Sequence, residues 1–166
     1  ESPDGIPVQQ VETWQREGVL EYHGSTRDVR KFLKQAHAFV LPTYYREGVP
    51  RSILEALSTG LPIITTDMVG SRETVEITTQ CWNQRKGESV VHCGNNGILV
   101  PPQDTNSLAE AMMFLLDNPD LVLSMGQESR RLAERRFDGH RVNSDILNEM
   151  GFSQSISTSI TDQREA

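Results

Sequence analysis

The sequence is short of cysteine, of basic residues and of long apolar runs, and each shortage excludes a class of protein. Two cysteines in 166 residues are too few for a secreted disulfide scaffold. Sixteen basic against 23 acidic residues give a net charge of −7, which argues against a nucleic-acid binder or a polybasic membrane anchor. No apolar run approaches the roughly 20 residues of a membrane span, and residues 1–10 lack a signal-peptide pattern. The expectation is a cytoplasmic globular protein with no nucleic-acid partner and no membrane span.

Chain length and composition predict a single domain followed by a tail. One hundred and sixty-six residues accommodate one ordinary domain with a core of its own. Residues 153–166 are polar and rich in serine and threonine, so we predict that they are disordered. The predicted domain therefore covers residues 1–152.

Short apolar runs alternate with segments of helical periodicity along the domain. The predicted strands are 19–24, 38–42, 61–66 and 97–102, and the predicted helices are 7–17, 26–36, 50–60, 104–117, 119–137 and 140–150. Asp104 is expected to cap its helix, with Leu108, Ala111, Met112 and Leu115 facing inward. Continuous apolar strands separated by single helices are typical of a sheet covered on both faces. The fold class is therefore α/β, with a Rossmann-like parallel sheet and flanking helices.

The segment 76–96 is longer than most connections between a strand and a helix. Two strand-like runs flank a turn over 83–87, which predicts a β-hairpin insertion. A symmetrical turn pairs Trp82 with Glu88. In that register Cys81 and Cys93 are not partners, as expected in a reducing compartment.

Two glutamates flank the start of a predicted helix. Glu47 precedes Pro50, and Glu55 lies eight positions after Glu47, in the second helical turn. The first N–H groups of a helix have no helical acceptors, so this helix start favours an anion. Gly48 removes a side chain that would block the close approach of a phosphate or a sugar. Because carboxylates accept hydrogen bonds from hydroxyls, glutamates on both sides of an anion site suit a nucleotide sugar.

The motifs REGVPRSILEALSTGLPIITTD (46–67), GSRETV (70–75) and NGILVPPQD (96–104) occur in this order. With LEYHGSTRDVRKFLKQAHAFVLPTYYREG upstream, the chain resembles the family-four retaining glycosyltransferases over about residues 7–150. The resemblance implies the GT-B fold, in which two Rossmann-like domains face each other. This chain is then expected to be the carboxy-terminal domain, which binds the sugar-nucleotide donor.

The resemblance also implies roles for individual residues. Glu47 matches the catalytic-site glutamate that meets the transferred sugar, and Glu55 matches the glutamate that binds the ribose diol. Residues 24–26, including Gly24 and Thr26, match the loop that lines the base. The backbone against the sugar and the phosphates corresponds to Gly48, Val49, Pro50 and Arg51. The expected donor is UDP- or GDP-linked, with no cofactor, and the absence of an Asp-x-Asp pair predicts no metal.

The chain also departs from the family pattern. Family members have two domains, so we expect the acceptor-binding amino-terminal domain to be missing. The first strand and helix of the donor domain, with the arginine and lysine that meet the diphosphate, are also expected to precede residue 1. The fragment alone is therefore predicted to be inactive, and its truncated sheet edge predicts a homodimer.

Four other interpretations remain open. The two glutamates can be solvated side chains at a helix start, or a glycosidase pair, which also uses two carboxyl groups. The domain can be a non-catalytic nucleotide-binding or protein-interaction module that retains the glycosyltransferase fold. An unrelated nucleotide-binding α/β domain is the last alternative, and it predicts no role for Glu55.

Overall fold

A computed structural model describes residues 5–80 and 91–152. These residues form two compact units, which divide between Lys31 and Phe32. The tail predicted over 153–166 and the hairpin turn predicted over 83–87 lie outside the described residues. The domain boundaries at 1 and 152 stay predictions.

The first unit contains helix α1, Val8–Arg16, which begins after Pro7 as predicted. The strand predicted over 19–24 is wrong, because these residues form no strand in the structure. A β-strand is stabilised by pairing with a neighbour, and no described strand pairs with this segment. Its backbone is held locally instead, since the Tyr22 N–H donates to Gln15 Oε1 at 3.2 Å.

Helix α2, Arg30–Leu33, is much shorter than the predicted helix over 26–36. Side chains in the preceding residues make local turns that compete with a helix. Thr26 Oγ1 accepts from the Asp28 N–H, and Asp28 Oδ1 accepts from the Arg30 N–H, both at 3.1 Å. Side-chain and backbone hydrogen bonds from Arg30 lower the pKa of Asp28 to about 2.

The second unit is built on a five-stranded sheet flanked by helices. Its strands are β1 (Phe39–Leu41), β2 (Ile63–Thr66), β3 (Ile77–Gln80), β4 (His92–Gly94) and β5 (Gly97–Val100), and their order in the sheet is β1-β2-β5-β4-β3. The strands β1, β2 and β5 are parallel, whereas β4 is antiparallel to both of its neighbours. The predicted α/β class and parallel-dominated sheet are confirmed. Among the described strands β1 pairs with β2 alone, and a homodimer through this edge stays a prediction.

Helices flank this sheet. They are α3 (Arg51–Thr59), α4 (Thr105–Asp117), α5 (Pro119–Arg136) and α6 (Gly139–Glu149), with a 3-10 turn at Arg72–Thr74. All four residues of β2 and all four of β5 are buried. Since successive side chains of a strand point to opposite faces, neither face of these strands meets solvent. None of the helices among residues 5–80 and 91–152 is long and apolar enough to cross a membrane.

The hairpin insertion is confirmed as an antiparallel pair of β3 and β4, but its register differs from the prediction. The symmetrical turn would place Gln80 opposite Val90, whereas the structure places Gln80 opposite His92, a shift of two residues. Cys93 is disulfide-bonded, so the expectation that the cysteines are not partners is wrong; Cys81 lies outside the described residues. The predicted cytoplasmic location stays a prediction.

Helix α4 begins at the predicted cap, and three of its four predicted inward positions are at least partly buried. Ala111 and Leu115 are fully buried and Leu108 packs partly against the core, but Met112 is 39% exposed. Asp104 Oδ1 accepts from the Ser107 N–H at 3.0 Å, and Oδ2 accepts from the Ser107 hydroxyl at 2.7 Å. The hydrogen bond from the Ser107 N–H lowers the pKa of Asp104 below its ordinary value of 3.8, and the hydrogen bond from the Ser107 hydroxyl lowers it further.

Replacing this cap should destabilise the second unit measurably. Asp104→Ala is expected to lower the free energy of unfolding by about 1 kcal/mol in urea titrations at pH 7. Because the pKa is lowered in the folded state, the deficit should be complete above pH 3.8 and shrink as the pH falls below it. Asp138→Ala removes an equivalent cap from α6, which buries no residue, and should leave the urea midpoint unchanged. Equal shifts for the two variants would contradict this difference between the helices.

Candidate functional site

The predicted site lies where β1 ends and α3 begins. The loop between them carries Glu47 and Gly48, both exposed, and continues through the buried Pro50 into Arg51. In parallel sheets, ligands bind beyond the carboxyl ends of the strands. The sequence therefore places Glu47 and Glu55 at the end of the sheet where a ligand is expected.

The start of α3 leaves backbone donors available. Pro50 occupies the N-cap position with φ −63° and ψ 125°, and no side chain caps the helix. The Pro50 carbonyl accepts from the N–H groups of Ile53 and Leu54 at 3.1 and 3.3 Å. The N–H groups of Arg51 and Ser52 lie in the first turn, where no helical carbonyl is placed to accept from them. Such donors, together with the helix dipole, favour an anion at this position.

Glu55 forms an ion pair on the surface of α3. The Arg51 Nε donates to Glu55 Oε1 at 3.2 Å, and the two side chains are 91% and 39% exposed. An exposed pair with this i, i+4 spacing contributes only about 0.3–0.5 kcal/mol. The pair therefore holds the carboxylate near the helix start without preventing its use by a ligand.

Glu47 is supported by one threonine. The Thr43 hydroxyl donates to Glu47 Oε1 at 3.5 Å, and Thr43 Oγ1 in turn accepts from the Tyr45 N–H at 3.3 Å. The rings of Tyr44 and Tyr45 stack with centroids 4.4 Å apart. The loop between β1 and α3 thus carries an exposed carboxylate and an exposed aromatic pair.

Gly48 has open space around it. A Cβ atom added there would meet no atom within 4 Å, and its φ is outside the left-handed region. Neither packing within the described residues nor backbone conformation therefore requires glycine at this position. A requirement for glycine would have to come from a ligand.

The other predicted residues differ in placement. Val49 is 36% exposed, on the loop beside Gly48. Gly24 and Thr26 belong to the first unit, where Gly24 has φ +67°. Their predicted role at the nucleotide base stays a prediction.

Sequence reasoning missed the contacts that hold the Glu47 loop from β2. Thr66 donates from its hydroxyl to the Thr43 carbonyl. A Cβ atom added at Gly70 would lie 2.5 Å from the Glu47 carbonyl oxygen and 2.3 Å from that of Gly48. The sequence features that could have indicated these contacts are the pair of threonines at the end of β2 and the glycine in the turn that follows.

Among residues 5–80 and 91–152, no group of three or more histidine, cysteine, aspartate or glutamate side chains could hold a metal ion. A groove of about 550 Å³ lies at the other end of α3, lined by residues that include Gly60, Pro62 and Arg130. No predicted site residue contributes to that groove.

Sequence comparison assigns the chain to a family. The profile of the family described as "Glycosyl transferases group 1" matches residues 5–118. The sheet described above is half of a GT-B fold, and the chain belongs to the group 1 glycosyl transferases. The resemblance to the carboxy-terminal domain of family-four glycosyltransferases is thereby confirmed.

Relatives named for polysaccharide synthesis are similar over most of the chain. The putative colanic acid biosynthesis glycosyltransferase WcaL of Salmonella typhimurium is 27% identical over 141 residues, which cover 80% of this chain and 31% of that protein. The exopolysaccharide phosphotransferase SCO2592 of Streptomyces coelicolor is 28% identical over 117 residues, covering 70% of this chain and 11% of that protein. The chain thus spans less than a third of these two relatives.

Solved structures show the same fold. Anabaena Alr3699/HepE, solved in complex with UDP, superposes with a TM-score of 0.71 at 20% identity, over 87% of this chain and 35% of that one. The C-terminal domain of the group 1 glycosyl transferase LpcC from Francisella tularensis gives a TM-score of 0.56 at 14% identity, over 80% and 62%. Both likenesses support the half GT-B fold.

Proposed function

We propose that the chain is the donor-binding part of a glycosyltransferase that moves a sugar from a nucleoside diphosphate to an acceptor hydroxyl. The observation that carries the proposal is the uncapped start of α3, flanked by Glu47 and Glu55, in a member of the group 1 glycosyl transferases. Free N–H groups suit a diphosphate, and carboxylates on both sides suit the hydroxyls of a sugar and a ribose. Retention of the anomeric configuration is part of the proposal through the resemblance to family four.

Each residue then has a chemical task. Glu47 accepts hydrogen bonds from the sugar hydroxyls and orients the sugar as its anomeric carbon gains positive charge. The backbone N–H groups of Gly48, Val49, Arg51 and Ser52 face the negative charge that develops as the bond to the diphosphate breaks, which stabilises the departing group. Glu55 leaves its ion pair with Arg51 and accepts from the ribose diol. The released Arg51 guanidinium is then available to the phosphates.

A uridine diphosphate sugar is the donor class to test first. The Anabaena neighbour was solved with UDP and with UDP-glucose. Its low identity supports the fold alone, so UDP for this chain is a proposal, with a guanosine donor as the alternative. No metal is invoked, since the helix start and Arg51 supply positive charge.

The isolated chain is proposed to bind donor without completing transfer. It spans about a third of its glycosyltransferase relatives, and the acceptor would be bound by a separate domain. Nucleotide binding, and not turnover, is therefore the property to measure on this chain.

Binding should depend on Glu55. We expect the chain to bind UDP or GDP weakly and saturably in calorimetric or NMR titrations, and Glu55→Ala to lower that affinity at least about tenfold, because hydrogen bonds to a charged acceptor are lost. The matched control is Glu110→Ala, which removes an exposed glutamate from α4 and should change nothing.

Two other results would contradict the proposal. Binding that is unchanged in Glu55→Ala favours an unrelated nucleotide site. No binding of UDP, GDP or ADP at millimolar concentrations favours a module that keeps the fold without the donor site.

A further inference from the structure

The Glu47 carboxylate has little side-chain support of its own. Its described contact is the Thr43 hydroxyl at 3.5 Å, the outer limit of a hydrogen bond. The position of the carboxylate therefore depends on the backbone of its loop.

The strand β2 holds this backbone from one side. The buried Thr66, 1% exposed, donates its hydroxyl to the Thr43 carbonyl, four residues before Glu47. The neighbouring Thr65, fully buried, donates to the Leu41 carbonyl at 2.8 Å, which lies within β1. Thr66 thus acts on the Glu47 loop, whereas Thr65 acts on the strand before it.

The turn after β2 holds the loop from a second side. Gly70 is buried with φ +84°, and an added Cβ would lie 2.3 Å from the Gly48 oxygen and 2.5 Å from the Glu47 oxygen. These are backbone atoms, which cannot rotate away as a flexible side chain could. The turn is itself closed by an ion pair of Asp67 Oδ1 with Arg72 Nε at 2.9 Å and by the Arg72 N–H bond to the Met68 carbonyl at 2.9 Å.

We propose that residues 66–70, the end of β2 and the turn after it, position the Glu47 loop for the sugar of the donor, with Thr66 and Gly70 as the positioning residues. The inference rests on the proposed donor site and adds residues that touch no donor atom themselves. A Cβ atom added at Gly70 displaces the backbone of Glu47 and Gly48. It leaves Glu55, which stands on α3, in place.

The test separates sugar recognition from nucleotide recognition. The affinities of the 166-residue chain for UDP and for UDP-glucose are measured by calorimetry, and again with GDP and GDP-mannose if guanosine is the base bound. Gly70→Ala should lower the ratio of the affinity for the sugar conjugate to the affinity for the free nucleotide by at least about tenfold. Misplacing a binding group by about 1 Å has effects of this size or more. Affinity for the free nucleotide should fall less than affinity for the sugar conjugate, because Glu55 and the N–H groups of Arg51 and Ser52 stand on α3 and the displaced loop shares only its Gly48 N–H with the diphosphate.

Matched variants control for general strain. Gly60 has φ +81° but its added Cβ would come no closer than 3.4 Å to another atom, so Gly60→Ala shares the backbone strain without the contact. Thr66→Val should reduce the sugar preference in the same direction as Gly70→Ala, whereas Thr65→Val should not. Amide hydrogen exchange at residues 47–49 should accelerate in Gly70→Ala and Thr66→Val only.

Each outcome decides the inference. Unchanged sugar preference and unchanged exchange in both Gly70→Ala and Thr66→Val would overturn it while leaving the proposed function intact. If the wild-type chain binds no nucleotide, the proposed function and the sugar-positioning role both fail. The exchange measurement then shows separately whether the turn holds the loop.

Discussion

Replacing Gly97 by alanine should destabilise the protein by about 3 kcal/mol or more, because it places an atom inside the backbone of a neighbouring strand. Gly97 is the first residue of β5 and lies opposite Ile63 of β2. An added Cβ would be 2.2 Å from the Ile63 carbonyl oxygen and 3.0 Å from its carbonyl carbon. The two central strands would have to separate, which weakens their hydrogen-bond ladder.

Urea titration followed by circular dichroism measures this effect. Gly139→Ala is the control, since an added Cβ there meets no atom within 4 Å and the residue begins α6. That variant should keep the wild-type midpoint. A wild-type midpoint for Gly97→Ala would show that β2 and β5 do not pair in this register.

Asn96→Asp should destabilise the protein by about 3 kcal/mol at pH 7, because the buried amide serves two backbone groups that a carboxylate cannot serve together. Asn96 is fully buried. Its Nδ2 donates to the Thr74 carbonyl at 2.8 Å, and its Oδ1 accepts from the Glu76 N–H at 2.9 Å. An ionised aspartate would face the Thr74 carbonyl with an acceptor and would carry a charge without a partner.

The deficit should depend on pH in a known direction. Burial raises the pKa of a carboxyl group, so the folded variant binds a proton more tightly than the unfolded chain. The deficit should therefore shrink by about 1–2 kcal/mol between pH 7 and pH 4.5. Asn95→Asp changes an exposed neighbour and should show a small, nearly constant difference; an equal deficit at both positions would contradict the role of the buried amide.

The elements that sequence predicted best are those whose signals are local. Helix α3 begins after Pro50 and ends at Gly60, which has φ +81°, as a proline near the start and a glycine past the end predict. The apolar runs of β2 and β5 likewise became buried parallel strands. Residues 19–24 have the same kind of pattern but no described strand beside them, so pairing, which the pattern does not encode, decided against a strand.

The candidate site was predictable in its residues but not in its supports. The spacing of Glu47 and Glu55 around Pro50 was enough to place both at one helix start. The contact of Gly70 with the Glu47 loop joins residues more than twenty positions apart, and the register of β1 against β2 sets it. No local pattern contains that register. The register of β3 against β4 was predicted wrongly because the prediction assumed a symmetrical turn, whereas the two strands pair two residues away from that register.

The strand order places the hairpin insertion and the strand that leads into the candidate site at opposite edges of the sheet. The antiparallel pair β3 and β4 lies at one edge of the sheet, and β1, which leads into the Glu47 loop, lies at the other, with β5 and β2 between them. Chain length added between β3 and β4 leaves the register of β1 with β2 untouched, because neither β3 nor β4 pairs with β1 or β2. Evolution can therefore lengthen, shorten or decorate that edge while the opposite edge keeps its geometry. Protein engineers can use the same separation to attach a reporter there without redesigning the helix start of α3.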